Sequence, residues 1–171
     1  MPPELSFHRA TDADWPGVWL IFREVVAAGD TYMYPPGISE GEARALWMPD
    51  DAGATRRVTY VARLGDAVVG TAYVRPNAPL GGPGDHVCNA GWMVSPACRG
   101  HGIGRRFAEY VIEHARAAGY RAMQFNAVVE SNSGAVGLWL SLGFRIIGTV
   151  PGGFRHPTLG AVGVHVIWRE L

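Results

Sequence analysis

Apolar and polar positions change period several times along the chain, and each change marks an element. Residues 5–9 read as a short strand. From Trp15 the period becomes helical, with Trp15, Val18, Trp19, Phe22, Val25 and Val26 on one face. Thr11 or Asp12 supplies the N-cap and Gly29-Asp30 the end. Ser39 and Glu42 form a capping box that opens a second helix running to Trp47. Between the two helices, Thr31-Tyr32-Met33-Tyr34-Pro35-Pro36-Gly37 is aromatic and proline-rich, which predicts an irregular loop.

Strand patterning returns at 57–64 and 68–75, joined by Gly65-Asp66 as a hairpin turn. Residues 77–85 read as a Pro/Gly loop, and 86–94 as a buried strand. A helix follows over 102–118, closed by Gly119; then a strand over 123–129, a short helix over 133–142 closed by Gly143, and a strand over 144–149. Residues 151–160, rich in Gly and Pro, read as a loop, and 162–168 alternate into a last strand. The order β-α-α-β-β-β-α-β-α-β-β predicts an α/β fold, a mixed sheet with helices on both faces.

Composition narrows the class. With 171 residues, 48% of them apolar, and no repeat or linker, the chain reads as a single domain over 1–171. Fifteen basic residues balance fifteen acidic ones, so no global field draws nucleic acid or an anionic membrane. No basic-then-apolar leader and no run of membrane-spanning length is visible, and the expectation is a cytoplasmic protein. Cys88 and Cys98 form neither a disulfide framework nor a metal-binding spacing.

The chemistry gathers between Met93 and Phe107. Arg99, Gly100, Gly102 and Gly104 lie where a buried strand gives way to a helix. The first turn of a helix carries unpartnered N–H groups and the positive end of its dipole, and glycines let a bulky anion approach. The stretch predicts a pyrophosphate cradle. It lacks the Gly-Lys-Ser/Thr of a P-loop, and Arg105 and Phe107 stand where a dinucleotide fingerprint wants glycine. The pattern present is Arg-x-x-Gly-x-Gly, preceded by Val94 and Pro96. Downstream come Asn132, Ala135, Leu138, Trp139 and Leu142-Gly143-Phe144. In this order and spacing the two motifs resemble those of the GCN5-related N-acetyltransferase (GNAT) family.

The resemblance implies a sheet splayed between strands 86–94 and 123–129, with acetyl-CoA entering the gap and an amine attacking its thioester directly in a ternary complex. It assigns the acetyl-CoA (or CoA) contacts to Met93, Val94, Arg99, Gly100, His101, Gly102, Ile103, Gly104, Asn132 and Trp139. Two departures from the family pattern stand out. The tyrosine that usually protonates the leaving thiolate is Trp139, whose indole N–H cannot serve as an acid near neutral pH. The strand after Asp85 holds no carboxylate to act as base. Asparagine is disfavoured within strands, so Asn89 and Asn126, both mid-strand, are the catalytic candidates, binding the substrate or holding a water. Tyr32 and Tyr34 would cover the acceptor, with Asn89 and Arg155 also meeting it, Arg155 or His156 through a substrate carboxylate.

Asn89, Asn126 and Trp139 together are similar to a branch that acts on proline analogues and other small amino acids. Residues 153–157 resemble the end of the phosphinothricin-type enzymes. The expected activity is acetyl transfer to a small-molecule amine, an amino acid or its analogue. A protein or peptide N-acetyltransferase, which needs an open groove, is the alternative within the class. A non-catalytic CoA-binding sensor is the alternative outside it, kept open by Trp139 and the missing base. The resemblance also allows a homodimer.

Overall fold

The computed structural model describes residues 3–50 and 52–171. Residues 1 and 2, part of the stretch read as lacking a leader, lie outside them. The elements are β1 (Leu5–Arg9), α1 (Trp15–Ala28), α2 (Glu40–Trp47), α3 (Ala52–Thr55), β2 (Val58–Leu64), β3 (Ala67–Pro76), β4 (Val87–Val94), α4 (Ile103–Ala117), β5 (Ala122–Val129), α5 (Ser133–Ser141), β6 (Arg145–His156) and β7 (Gly160–Glu170). The strands form one seven-stranded mixed sheet in the order β1-β2-β3-β4-β5-β7-β6. Only β4 and β5 run parallel; the other neighbours are antiparallel. The α4 crossover makes that parallel step.

Each face of the sheet carries its own core. On one face α1 and α2 bury Val18, Phe22, Val26 and Trp47 against Val61, Tyr73 and Met93. On the other, Phe107, Val111 and Ile112 of α4 pack on Tyr60, Ala72 and Met123, and Trp139 of α5 on Phe125. Phe22 and Phe107 are fully buried, each worth about 1.5–3 kcal/mol. Trp47 is pinned as well as buried: its indole N–H donates to Thr71 Oγ1 at 2.9 Å, and its carbonyl accepts from Thr59 Oγ1 at 2.8 Å.

The Ser39 cap follows the sequence, while the N-cap of α1 is Asp14 and not Thr11 or Asp12. Thr11 and Asp14 form a capping box over a single 3-10 turn, Asp12–Asp14, that leads into α1, and Ser39 with Glu42 opens α2. The expected loop over 151–160 is not one. β6 continues to His156, because Pro151, Gly152 and Gly153 bulge out opposite Gly163 alone and pairing resumes at Phe154↔Val162. An edge strand tolerates this, since proline's missing N–H would otherwise face solvent. No helix among the described residues is long and apolar enough to cross a membrane.

Candidate active site

β4 and β5 pair only over Val87↔Ala122, Cys88↔Met123 and Asn89↔Gln124, and then part. Asn89 sits at the vertex, its side-chain amide donating to Gln124 O at 3.0 Å. A bulge helps hold β5 away: Asn126 and Ala127 together face one residue of β7, between the pairs Phe125↔Ile167 and Val128↔His165. The β3–β4 ladder fixes which β4 groups face the gap. Ser95 N donates to Val69 O at 2.9 Å and Asn77 N to Val87 O at 2.8 Å. Antiparallel ladders alternate, so Asn89, Gly91 and Met93 spend their backbone groups on β3, while those of Ala90, Trp92 and Val94 point into the gap.

At one end of the gap lies the start of α4. Its first i→i−4 bond runs from Arg106 N to Gly102 O at 3.2 Å, leaving the N–H groups of Ile103, Gly104 and Arg105 without helical partners. Gly100 and Gly102 take left-handed φ values of +81° and +71°, and a Cβ at either would meet nothing. His101 Nδ1 lies 2.9 Å from Arg99 O and closes the loop on itself, with the Arg99 side chain exposed. Gly104 packs near Leu138 and Val94 (3.8 and 3.9 Å from its would-be Cβ), which ties the loop to α5 and β4. An open, glycine-shaped turn over free N–H groups fits a pyrophosphate, and the unpaired polar edge of β4 fits an amide-bearing arm.

At the other end is a cavity of about 350 Å³. Tyr32 roofs it, donating its hydroxyl to Trp92 O at 2.7 Å and stacking on Tyr34 with ring centres 5.7 Å apart. Tyr73, Arg75, Asn89 and Asn126 also line it. Tyr73 has room because its neighbour is Gly91, where a Cβ would come within 2.7 Å of the Tyr73 ring. Tyr73 donates to Asn89 Oδ1 at 3.3 Å. Asn126 accepts from Gln124 Nε2 and donates to Asn77 Oδ1, each at 2.8 Å, so an amide chain crosses the mouth. Asn132 caps α5, accepting from Ala135 N at 3.4 Å, and lines the same cavity. Trp139 joins Trp92, Phe125 and Phe144 in an aromatic box, with centres 4.8, 4.6 and 5.6 Å from its own.

No Asp, Glu or His lines this cavity among the described residues. Burial, reinforced by Tyr73, raises the Tyr34 hydroxyl to about 12, and burial drives Tyr32 well above its usual 10. Both phenols stay protonated at neutral pH. Burial also pushes the Cys88 thiol up to about 12, which makes it a small core residue and not a nucleophile. Among the described residues no carboxylate or imidazole is in place there to act as a base, and the site's tools are amides, protonated phenols and backbone groups.

The structure brings together Tyr32, Tyr34, Asn89, Asn126, Asn132 and Trp139, and it sets Val94 and residues 99–104 along the same gap. Two expectations need correcting. Met93 turns its side chain into the α1–α2 core and its backbone groups toward Thr71, so the gap-facing positions are Trp92 and Val94. Arg155 is exposed on β6, paired with Ala161, and does not line the cavity, because the stretch read as a loop is strand. Arg75, Tyr73 and Trp92 also line the cavity, and no motif in the sequence marks them. The available signal was strand phase: Arg75 shares a face with the inward-pointing Thr71 and Tyr73.

Relatives agree with this geometry. Residues 18–144 match the model of the acetyltransferase (GNAT) family. A GCN5-related N-acetyltransferase from Kribbella flavida is 50% identical, with 98% of each chain covered and a TM-score of 0.90. A GNAT phosphinothricin acetyltransferase from Sinorhizobium meliloti, solved in complex with acetyl-CoA, is 23% identical with a TM-score of 0.84, over 98% of this chain and 88% of that one. The N-acetyltransferase aca1 of Schizosaccharomyces pombe is 36% identical over 84 residues, which span 49% of this chain and 39% of that protein. The splayed sheet, the glycine turn at α4 and the match across most of the chain lead to one conclusion: it belongs to the GNAT family of acetyl-CoA-dependent N-acetyltransferases.

Proposed function

We propose that the chain, as one catalytic domain over 1–171, acetylates the amine of a small molecule, an amino acid or an analogue of one. The observation that carries this is the roofed acceptor end. Tyr32, bonded to Trp92 O at 2.7 Å and stacked on Tyr34, covers one side of a half-open cavity of about 350 Å³ shared by donor and acceptor, which leaves the acceptor the room of a compact amine and sets aromatic rings where a peptide backbone would lie. The proposal extends to a cytoplasmic location, supported by two free thiols, Cys88 and Cys98.

Acetyl-CoA, when bound, supplies an acetyl group activated as a thioester. In this reading the loop 99–104 and the free N–H groups of α4 would hold its diphosphate, and the gap-facing backbone of Ala90, Trp92 and Val94 would align its arm. The N–H of Trp92 or Val94 would stabilise negative charge on the thioester oxygen. Asn89 and Asn126 orient the acceptor amine or a water that carries its proton away. Without a side-chain base, positioning supplies most of the rate, an effect worth up to ~7–11 kcal/mol.

The test is CoA release from acetyl-CoA across amino acids, proline analogues, phosphinothricin and short peptides. Amine-dependent release confined to compact acceptors is the expected result. Release with peptides alone would replace this reading by a protein N-acetyltransferase. Tight CoA binding with no release for any acceptor would favour a sensor.

A further inference from the structure

Resting on the reading of this cavity as the acceptor site, we propose that it selects acceptors by their carboxylate, which Arg75 binds, with Arg57 reinforcing the field from behind Tyr73. Buried polar atoms without a hydrogen-bond partner are few among the described residues: Thr31 Oγ1, Arg57 Nε, Arg75 Nε, Trp92 Nε1 and Ser131 Oγ. Thr31, Arg75 and Trp92 line the cavity. Arg57 lies against its wall, with the guanidinium 4.2 Å from the centre of the Tyr73 ring. Buried polar groups are nearly always satisfied, so such a concentration in one cavity calls for a ligand. The arginine and indole nitrogens donate and cannot accept. What completes them is a group rich in acceptors.

Charge points the same way. Arg44, Arg63, Arg105 and Arg116 each pair with a carboxylate. Arg57 and Arg75, both half-buried, pair with none among the described residues. Arg75 gives one bond to Pro76 O at 3.2 Å, and Arg57 one to Leu46 O. Two partly desolvated cations near one another, with no anion between them, are costly unless one is supplied. The ladder adds the geometry. Arg75 stands directly across from Asn89, and side chains facing each other in a ladder start about 4.5–5.5 Å apart. Both side chains line the cavity, so a carboxylate held by Arg75 keeps an amine on the adjoining carbon on the same face of the sheet as Asn89. An α-amino acid joins the two groups in that way. Polyamines, aminosugars and lysine-rich peptides bring positive charge to the same place and are repelled.

The experiment uses matched triplets: L-leucine, L-leucinamide and 3-methylbutylamine, and the corresponding sets for methionine and proline. CoA release is measured with the full chain and with Arg75→Met and Arg75→Lys, after their thermal midpoints verify folding. The expected result is a preference for acid over amide of at least 100-fold in kcat/KM. Arg75→Met should reduce that preference 10- to 100-fold, mainly through the acid's KM, and Arg75→Lys should keep part of it. Amides or amines turned over as well as the acids overturn the carboxylate site but leave the small-amine reading standing. An unaltered preference in Arg75→Met overturns it too. No release with any member of the triplets overturns the cavity reading and this inference together.

Discussion

The Tyr32 hydroxyl reaches the Trp92 carbonyl, 2.7 Å away and sixty residues on in sequence, and so ties the aromatic loop to the open edge of β4. It is one bond with two duties, holding the roof and occupying a carbonyl that faces the gap. Tyr32→Phe keeps the ring and its stack on Tyr34 but releases both ends. A hydrogen bond of this kind is worth about 0.5–1.5 kcal/mol. The expected outcome is a rise of roughly 3- to 10-fold in acceptor KM with the CoA dissociation constant held. Steady-state kinetics alongside CoA titration calorimetry checks it, and an unchanged KM would remove Tyr32 from the acceptor site.

Gly102 begins α4 at a φ of +71° with open space where a Cβ would go. Gly102→Val therefore meets no wall in the free protein and pays only the left-handed backbone penalty, about 1–2 kcal/mol. Its branched side chain stands over the free N–H groups of the first turn. CoA affinity should fall by more than tenfold while the chain still unfolds cooperatively, as calorimetry and thermal melts will show. Retained affinity would move the diphosphate elsewhere.

No Asp, Glu or His lines the cavity among the described residues, and burial holds the Tyr34 hydroxyl near 12 and Tyr32 well above its ordinary range, so neither phenol changes charge between about pH 6 and 9. The rate should then follow the acceptor. kcat/KM is expected to climb about tenfold per pH unit toward the acceptor amine's own pKa, with no break near the ordinary histidine value of about 6.5. A break there, identical for acceptors of different basicity, would expose an enzyme base outside the cavity wall.

Asp14 tests the frame and not the site. It is 2% exposed and accepts from Thr11 N at 2.8 Å, Thr11 Oγ1 at 3.0 Å, and Arg63 Nη2 and Nε at 2.7 and 3.0 Å. Burial pushes its carboxyl up, but these bonds together outweigh burial and set its pKa below the usual 3.8. A carboxyl lowered by folding stabilises the protein above its unfolded pKa, and that contribution disappears as the pH falls through the folded value. Asp14→Asn should cost about 1.5–3 kcal/mol at pH 7. The gap between variant and parent should narrow in urea titrations below about pH 3.8, and a constant gap would refute the assignment.

Much of this was legible because it is local. The helical spacing of Trp15, Val18 and Phe22, the Ser39/Glu42 box and the Arg99–Gly104 turn each lie within a few residues, and the element order follows from such signals except for the single-turn α3. Register is not local. That Arg75 faces Asn89, that Met93 spends its backbone on Thr71 while Trp92 does not, and that Asn126 reaches Asn77 depend on how distant strands align. The 151–160 stretch misled for a related reason. Pro151 and the Gly152-Gly153 pair signal a turn locally, whereas an edge strand facing Gly163 absorbs them as a bulge and restores Phe154 to a small core with Val129 and Val164. The resemblance of residues 153–157 to the phosphinothricin-type enzymes points Arg155 at the substrate, whereas the strand holds it opposite Ala161.

Beyond Asn89 and Gln124, β4 and β5 leave a seam in the middle of an otherwise continuous sheet. Sheets with unpaired inner edges are prone to strain and to pairing with other chains. On the proposed reading, an extended amide-bearing arm laid in that seam would act as a prosthetic strand, and the donor would also be a splint. Ligand at 100 times its dissociation constant adds about 2.7 kcal/mol of stability to a protein that binds it only when folded. The lifetime of the enzyme in a cell would then rise and fall with the supply of acetyl-CoA, and starvation for the donor would remove the catalyst along with the reaction.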